Sequence, residues 1–296
     1  MTTAESAAKV KPLETLVMVL TILLVFIMAA RTPLEPDLGW HLRAGQTTLE
    51  TGTPLTVDLF SYTRYGEKWV NHSWLGQVLF YLMYRWAGYA GVGALVAVAA
   101  TASMALVYGS MEGPGLLRAF LVVLASLIAA WVWSARPQVL SLTLLAGLAY
   151  VLYLYKWRQI DRLWFLLPLF ILWSNLHGGY VLGFMLLAAA LGGEVLNHAL
   201  GYRDDAVLPW KKIIRLGLWS LGAGLAVLIN PNGMDTWLIP FQTVGVNALQ
   251  AFISEWASAD FHDFAQQPLL WMVFALLAAV GSSDRRLDGA DLLALV

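Results

Sequence analysis

The chain has 296 residues, of which 59% are hydrophobic and 12% charged, and 18 Lys and Arg against 19 Asp and Glu give a net charge of −1. An average soluble domain is about 45–50% apolar and about 25% charged, so this composition excludes a cytosolic enzyme, a secreted scaffold and a disordered chain. The charge balance provides no basic surface for nucleic acid, and the absence of Cys excludes disulfides, thiolate metal sites and Cys nucleophiles.

The hydrophobic runs predict an all-α polytopic membrane protein with about eight transmembrane helices, since a hydrocarbon core of ~30 Å needs ~20 apolar residues per helix. The first run, residues 16–30, is a retained signal-anchor or a cleaved signal peptide, and the many later runs favour the anchor. Residues 74–86 are predicted to form an interfacial helix that is interrupted near Gly88. The other predicted spans are residues 92–111, 116–133, 139–155, 163–173, 181–196, 213–229 and 269–280.

The distribution of Lys and Arg predicts the orientation. With the N-terminus inside, the inner segments carry twice as many of these residues as the outer ones. The chain is then one transmembrane domain, 1–296, with two longer outer segments at 31–73 and 230–268. Residues 291–296 resemble the start of another span, so we expect the natural protein to continue past Val296.

The first outer segment opens with candidate functional residues. Asp37 stands just beyond the first span and could be either a general base or the N-cap of a helix. That helix is predicted from Leu38 to Leu49, with Gly52 ending it. His41 follows Asp37 by four residues, so it could orient the carboxylate or make a structural capping contact.

Two further groups lie at predicted outer turns. Arg136 could bind a phosphate through two hydrogen bonds or could anchor the chain at the membrane surface, and Arg43 has the same two interpretations. Asn175 and His177 precede Gly178-Gly179, where a backbone or a ligand can approach closely. The alternative for this run is a plain turn between helices.

Several familiar chemistries lack their signatures. The chain has no Walker loop, no G-x-G-x-x-G and no G-x-S-x-G. Ionisable residues inside the predicted spans are scarce, the main ones being Glu194 and His198, which argues against an ion-coupled transporter. No cofactor is expected, and a divalent metal is conceivable but not indicated, because no dense ligand spacing occurs among the residues that could assemble a site: His41, His72, His177, His262, Asp37, Asp58 and Asp263.

The order of motifs in the first outer segment resembles the GT-C superfamily of membrane glycosyltransferases, which includes the protein O-mannosyltransferases and the aminoarabinose transferase of lipid A. The residues that carry the resemblance are 37–45, 49–52, 58–62 and 69–75. Four later runs resemble an uncharacterised bacterial branch of that superfamily: residues 135–138, 175–179, 230–233 and 253–256.

The resemblance implies a GT-C-like fold in a bacterial inner membrane with a cytoplasmic N-terminus. It also implies inverting transfer of a sugar from a polyprenyl-phosphate donor to an acceptor on the outer face, with Asp37 as the catalytic carboxylate. Arg43 and Arg136 are then the candidates for holding the donor phosphate. The expected supporting residues are Glu35, His41, Asp58, His72, Asn175 and His177.

Two alternatives stay open at this point. The first is a non-catalytic GT-C-like subunit that binds membrane lipid or a larger protein complex. The second, a small-solute transporter, is disfavoured by the scarcity of charges within the spans.

Overall fold

The computed structural model describes residues 3–32, 35–202, 207–244, 259–283 and 287–295. Within those ranges the regular structure is helical, apart from one isolated bridge between Val57 and Lys68. The helices are α1 (Thr3–Ala29), α2 (Leu38–Thr51), α3 (Trp74–Ser110), α4 (Gly115–Ala129), α5 (Gln138–Lys156), α6 (Leu166–Leu176), α7 (Tyr180–Ala199), α8 (Trp210–Ala226), α9 (Asp235–Val244), α10 (Gln267–Ser282) and α11 (Gly289–Leu295).

Among the described residues, five helices are long and apolar enough to cross a membrane, which is compatible with a multi-pass membrane protein. They are Pro12–Ala29, Trp74–Ser110, Gly115–Val132, Gln138–Lys156 and Tyr180–Ala199. The apolar helices Leu163–Leu176 and Gln267–Ser282 are shorter, and the 17-residue α8 has Lys211, Lys212 and Arg215 in its first turns. Because these three predicted spans fall short in length or carry charges, the predicted count of about eight is not confirmed.

Helix α3 bends where the sequence predicts an interruption. Ala87 and Gly88 leave the helical conformation, and Gly88 has φ 60° and ψ −146°, which only glycine adopts without strain. A Cβ atom on Gly91 would lie 2.2 Å from the carbonyl oxygen of Met83, so the two parts of α3 fold against each other at the bend. The interruption between residues 74–86 and 92–111 is therefore confirmed.

The helix predicted at Leu38–Leu49 is present as α2 and ends, as expected, at Gly52, whose φ is 70°. Its buried stripe includes His41, Ala44 and Thr48 and rests on α3. A Cβ atom on Gly45 would lie 2.2 Å from the carbonyl oxygen of Gln77, so glycine is needed for the helices to approach this closely.

The connections between helices lie at two ends of the bundle. Ion pairs and hydrogen bonds join the segments at each end, such as Lys68 to Asp235 at one and Lys156 to Asp288 at the other. We define the loop face as residues 30–32, 35–73, 130–137, 177–179, 230–235 and 259–266. The opposite face comprises residues 111–114, 157–162, 200–202, 207–209 and 287–288.

The predicted second outer segment is described only in part. Residues 230–244 and 259–268 belong to the described chain and include α9, whereas 245–258, with the aromatic residues Phe252 and Trp256, lie outside the described residues. Near the end of the chain, α11 packs on α7 so closely that a Cβ atom on Gly193 would lie 2.2 Å from the Cα atom of Ala290.

Candidate functional site

Two carboxylates of the first outer segment share one arginine. The Nη2 atom of Arg136 lies 2.7 Å from Oε1 of Glu35 and 2.9 Å from Oδ2 of Asp37. The exposed fraction of the side chain is 9% for Glu35, 22% for Arg136 and 45% for Asp37. We call these three residues the acid–arginine cluster; Asp37 is the member that water or a substrate can reach.

Asp37 precedes α2 but does not cap it. Its φ and ψ of −79° and −12° are helical, and its side chain makes no capping hydrogen bond. A capping residue normally has extended backbone angles, so that its side-chain oxygen can accept from the first N–H groups of the helix. Asp37 thus occupies the N-cap position of α2 without the side-chain hydrogen bond of a capping residue, because its carboxylate turns to Arg136 instead.

The two arginines predicted to hold a phosphate have different surroundings. The Nη2 atom of Arg136, which precedes Pro137 at the start of α5, already lies between two carboxylates. Arg43 lies on the exposed side of α2, and its guanidinium donates to Oε1 of Gln46 at 3.1 Å. The structure thus brings Arg136, but not Arg43, to Asp37.

Three predicted histidines come close together behind this cluster. The pKa of His41 is lowered to about 3, mainly by burial and to a smaller extent by the charge of Arg136 and by His72. The pKa of His177 is likewise lowered to about 3, mainly by burial and to a smaller extent by His72 and His41. Burial also lowers the pKa of His72. The rings of His72 and His177 are 5.8 Å apart. All three imidazoles are therefore neutral at neutral pH.

Hydrogen bonds fix the ring of His177. Its Nδ1 accepts from the backbone N–H of Gly179 at 3.0 Å and lies 2.9 Å from Oγ of Ser141, which itself accepts from Nε1 of Trp173 at 2.8 Å. A backbone N–H can only donate, so these contacts assign the proton to Nε2 of the neutral ring. A Cβ atom on Gly179 would lie 2.5 Å from Oγ of Ser141, so this predicted close approach is made by the protein itself.

Asn175 holds helices together. Its Oδ1 accepts from Nε1 of Trp74 at 2.9 Å, and its Nδ2 donates to the carbonyl oxygens of Ile171 and Ile229 at 2.7 and 2.8 Å. Both polar atoms of the amide thus have protein partners. Asn175 supports the site by fixing α3 and α6 to the turn after α8.

Of the two interpretations of His41, the structure does not support the one in which its side chain orients the carboxylate of Asp37. The contact between them is from the backbone N–H of His41 to the carbonyl oxygen of Asp37, at 3.2 Å. The His41 side chain packs on Trp40, with ring centroids 3.8 Å apart, and its buried Nδ1 has no hydrogen-bond partner among the described residues.

Asp58 belongs to another part of the loop face. Its carboxylate accepts from the backbone N–H groups of Phe60 and Ser61 and from the Ser61 hydroxyl, at 2.8, 2.9 and 2.5 Å. It lines a hollow with Trp40, Phe60, Ser61 and Trp69. Among the described residues we find no contact between this carboxylate and the acid–arginine cluster.

A feature that the sequence reasoning missed is a groove of about 1000 Å³ between α4 and α10. Its walls are mostly apolar, with Phe120, Trp131 and Trp271 among them, and Arg31 borders it. The Nη2 atom of Arg31 donates to the carbonyl oxygen of Ala130 at 2.8 Å. The sequence offered one signal for this groove, namely that Arg31 directly follows the first apolar run. An arginine at that position is equally typical of a residue that only anchors the helix at the membrane surface.

Within the described ranges, no group of three or more His, Asp or Glu side chains is placed to hold a metal ion. His262 lies apart from the other predicted histidines; it is fully exposed and its Nδ1 is 3.0 Å from Asp260. Comparison of the chain with protein-family models, curated proteins and solved structures gave no match.

Proposed function

We propose that the chain is a membrane glycosyltransferase of the GT-C type that moves a sugar from a polyprenyl phosphate to an acceptor on the outer face of a bacterial inner membrane. In this proposal the loop face is the outer face, the N-terminus is cytoplasmic, and the shorter helices complete about eight crossings. The observation that carries the proposal is the carboxylate of Asp37, which is open to solvent yet held by Arg136 instead of capping α2.

Asp37 serves as the general base. It accepts the proton of an acceptor hydroxyl while the hydroxyl oxygen attacks the anomeric carbon of the sugar, and the bond from that carbon to the phosphate oxygen breaks. The configuration at the anomeric carbon inverts, and the polyprenyl phosphate leaves as an anion. General-base assistance of this kind contributes about 10²–10⁴ in rate.

The groove between α4 and α10 accepts the polyprenyl chain, and Arg31 beside it holds the phosphate. Apolar walls suit an isoprenoid, and a guanidinium binds phosphate oxygens through paired hydrogen bonds. Arg136, whose Nη2 is engaged by Glu35 and Asp37, keeps the base in position. This assignment moves the predicted phosphate-binding role from Arg136 to Arg31.

The first test asks which lipid the chain carries. Native mass spectrometry of the detergent-extracted protein is expected to show a bound polyprenyl phosphate or its sugar ester, and the mass of the ester identifies the sugar class. Ordinary phospholipid alone, together with a stoichiometric protein partner, would favour the alternative of a non-catalytic membrane subunit.

The second test uses the identified donor in a transfer assay on the reconstituted chain. Asp37→Asn is expected to reduce turnover by about 10²–10⁴ while the donor stays bound. The matched control is Asp235→Asn, which alters another ion-paired aspartate of the loop face, 2.5 Å from Lys68. Full transfer by the Asp37→Asn protein would refute the proposal.

A further inference from the structure

The hollow on the loop face has aromatic walls set at steep angles. The ring centroids of Trp40 and Trp69 are 5.8 Å apart at 57°, and those of Phe60 and Trp69 are 6.3 Å apart at 85°. The volume of the hollow is about 310 Å³, and the remaining lining comes from Asp58 and Ser61. We call this feature the aromatic hollow. Its rings form the walls of a box, not the single flat platform on which a sugar ring stacks.

Among the described residues, the carboxylate in the aromatic hollow makes no ion pair. Hydrogen bonds from the side chain and backbone of Ser61, and to a smaller extent the charge of Arg64, lower the pKa of Asp58, which keeps it charged at neutral pH. The basic residues nearby in the sequence form ion pairs with other carboxylates: Arg64 lies 3.0 Å from Glu67, and Lys68 lies 2.5 Å from Asp235. Within the described part of the chain, no ion pair reaches Asp58.

The oxygen atoms of the lining offer only lone pairs. The hydroxyl proton of Ser61 is donated to Asp58, and its oxygen also accepts from the backbone N–H of Arg64 at 3.2 Å. A sugar presents hydroxyl groups that need donors as well as acceptors, and of the lining side chains only the indole N–H groups of Trp40 and Trp69 could donate to them. A quaternary ammonium ion needs no hydrogen-bond partner, and aromatic faces attract it through their negative quadrupoles.

The aromatic hollow is also held in place. The backbone N–H of Asp58 donates to Glu67 and that of Trp69 donates to Thr56, at 2.9 and 2.8 Å, which joins the two sides of the loop. Trp40 comes from α2, which packs on α3. Trp40 and Phe60 nevertheless remain 38% exposed each, so the hollow is open to a ligand.

We propose that the aromatic hollow binds an organic ammonium ion of the quaternary, choline-like class, with Trp40, Phe60 and Trp69 around the methyl groups and Asp58 as the counter-ion. The ligand is either a free quaternary ammonium compound or the choline headgroup of a membrane lipid, because the chemistry recognised is the same. The proposal does not depend on the transferase activity.

The experiment measures binding of radiolabelled choline to the full chain in nanodiscs of phosphatidylglycerol, which has no ammonium group. We expect saturable binding that excess tetramethylammonium removes. Its neutral counterpart 3,3-dimethylbutanol, in which carbon replaces the charged nitrogen, should not compete. Weaker choline binding in nanodiscs of phosphatidylcholine would identify the lipid headgroup as the natural occupant, whereas equal binding in both would identify a free ligand.

Three variants separate a site from an incidental contact. Trp40→Leu removes the aromatic wall that α2 contributes to the hollow and leaves the hydrogen bonds of the loop intact. The affinity for choline should therefore fall by about tenfold. Asp58→Asn removes the charge, while the amide oxygen can still accept from Phe60 and Ser61, and it should have a similar effect. Tyr62→Leu, in the same loop but fully exposed and outside the hollow, should bind like the unaltered chain.

Equal competition by 3,3-dimethylbutanol would show a merely apolar depression and overturn the proposal. Competition by glucose would reassign the hollow to a sugar, and absence of saturable choline binding would likewise overturn it.

Discussion

Two pairs of carboxylates in this molecule are each joined by one cation, and they differ in how far water reaches them. On the loop face, Arg136 lies between Glu35 and Asp37, and Asp37 is 45% exposed. On the opposite face, Nζ of Lys156 lies 2.7 Å from Glu194 and 2.5 Å from Asp288, whose side chains are only 1% and 2% exposed. The same charge pattern therefore occurs once with a carboxylate exposed to solvent, which we call the open cluster, and once with both carboxylates buried, which we call the closed cluster.

The closed cluster has its remaining contacts within the protein. The second carboxylate oxygen of Glu194 accepts from the backbone N–H of Leu208 at 2.9 Å, and that of Asp288 accepts from Asp291 at 2.9 Å. Through these contacts α5, α7 and the segment before α11 are joined. We therefore interpret the closed cluster as structural and the acid–arginine cluster as the candidate for chemistry.

The largest expected effect comes from removing the cation of the closed cluster. Lys156→Met leaves two buried carboxylates without a counter-charge, which should lower the free energy of unfolding by about 3–5 kcal/mol. Titration with a denaturing detergent measures this. The control is Lys68→Met, which breaks the exposed pair with Asp235 and should change stability little. Similar losses in the two variants would contradict the distinction between buried and exposed pairs.

The next effect concerns the contact that positions the open cluster. Gly45→Ala directs a methyl group at the backbone carbonyl of Gln77, so α2 must move away from α3. We expect a loss of about 1–3 kcal/mol in the free energy of unfolding, typical of overpacking. Gly39→Ala, on the same helix with open space around its Cβ position, should instead be neutral or slightly stabilising. Equal stability of the two variants would show that α2 is not tightly seated.

A third effect concerns a histidine of the loop face, whose contribution to stability depends on pH. Because burial lowers the pKa of His177 from 6.5 to about 3, the unfolded chain binds a proton between those values and the folded chain does not. Stability should therefore fall as the pH decreases through this window, by about 2 kcal/mol for one such histidine between pH 7 and pH 5.

The variant His177→Gln should reduce that slope, since Gln can still accept from Gly179 but does not titrate. His262→Gln, which alters a fully exposed histidine, should retain the slope of the unaltered chain. Unfolding titrations at pH 7 and pH 5 measure the difference, and an unchanged slope in the His177→Gln protein would contradict its burial as a neutral ring.

Features with a local cause could be predicted from the sequence, whereas contacts between distant residues could not. The bend at Gly88 and the end of α2 at Gly52 follow from glycine and were predicted, because the cause lies within a few residues of the effect. The charge of Glu194 was visible as unusual within an apolar run. Its partners were not, because Lys156 and Asp288 are distant in the chain and only packing brings them together.

The same limit applies to the candidate site. Asp37 and Arg136 were both predicted, yet their pairing depends on how α2 and α5 meet. Asp58 was expected, from the resemblance, to support Asp37, but local hydrogen bonds from Phe60 and Ser61 hold it in the aromatic hollow. A motif can therefore indicate a candidate segment without predicting the arrangement of the side chains within it.

The smallest expected effect on stability is also the most informative for function. Asp37→Asn replaces a carboxylate that water already reaches, and the amide can still accept from Arg136, so the free energy of unfolding should change by no more than about 0.5 kcal/mol. Glu35→Gln, at the more buried end of the cluster, should cost more. If Asp37→Asn lowers stability as much as Glu35→Gln, the carboxylate is part of the fold. If stability is kept while sugar transfer is lost, Asp37 serves catalysis and not folding. A carboxylate that contributes nothing to the free energy of unfolding has no structural reason to be held by Arg136.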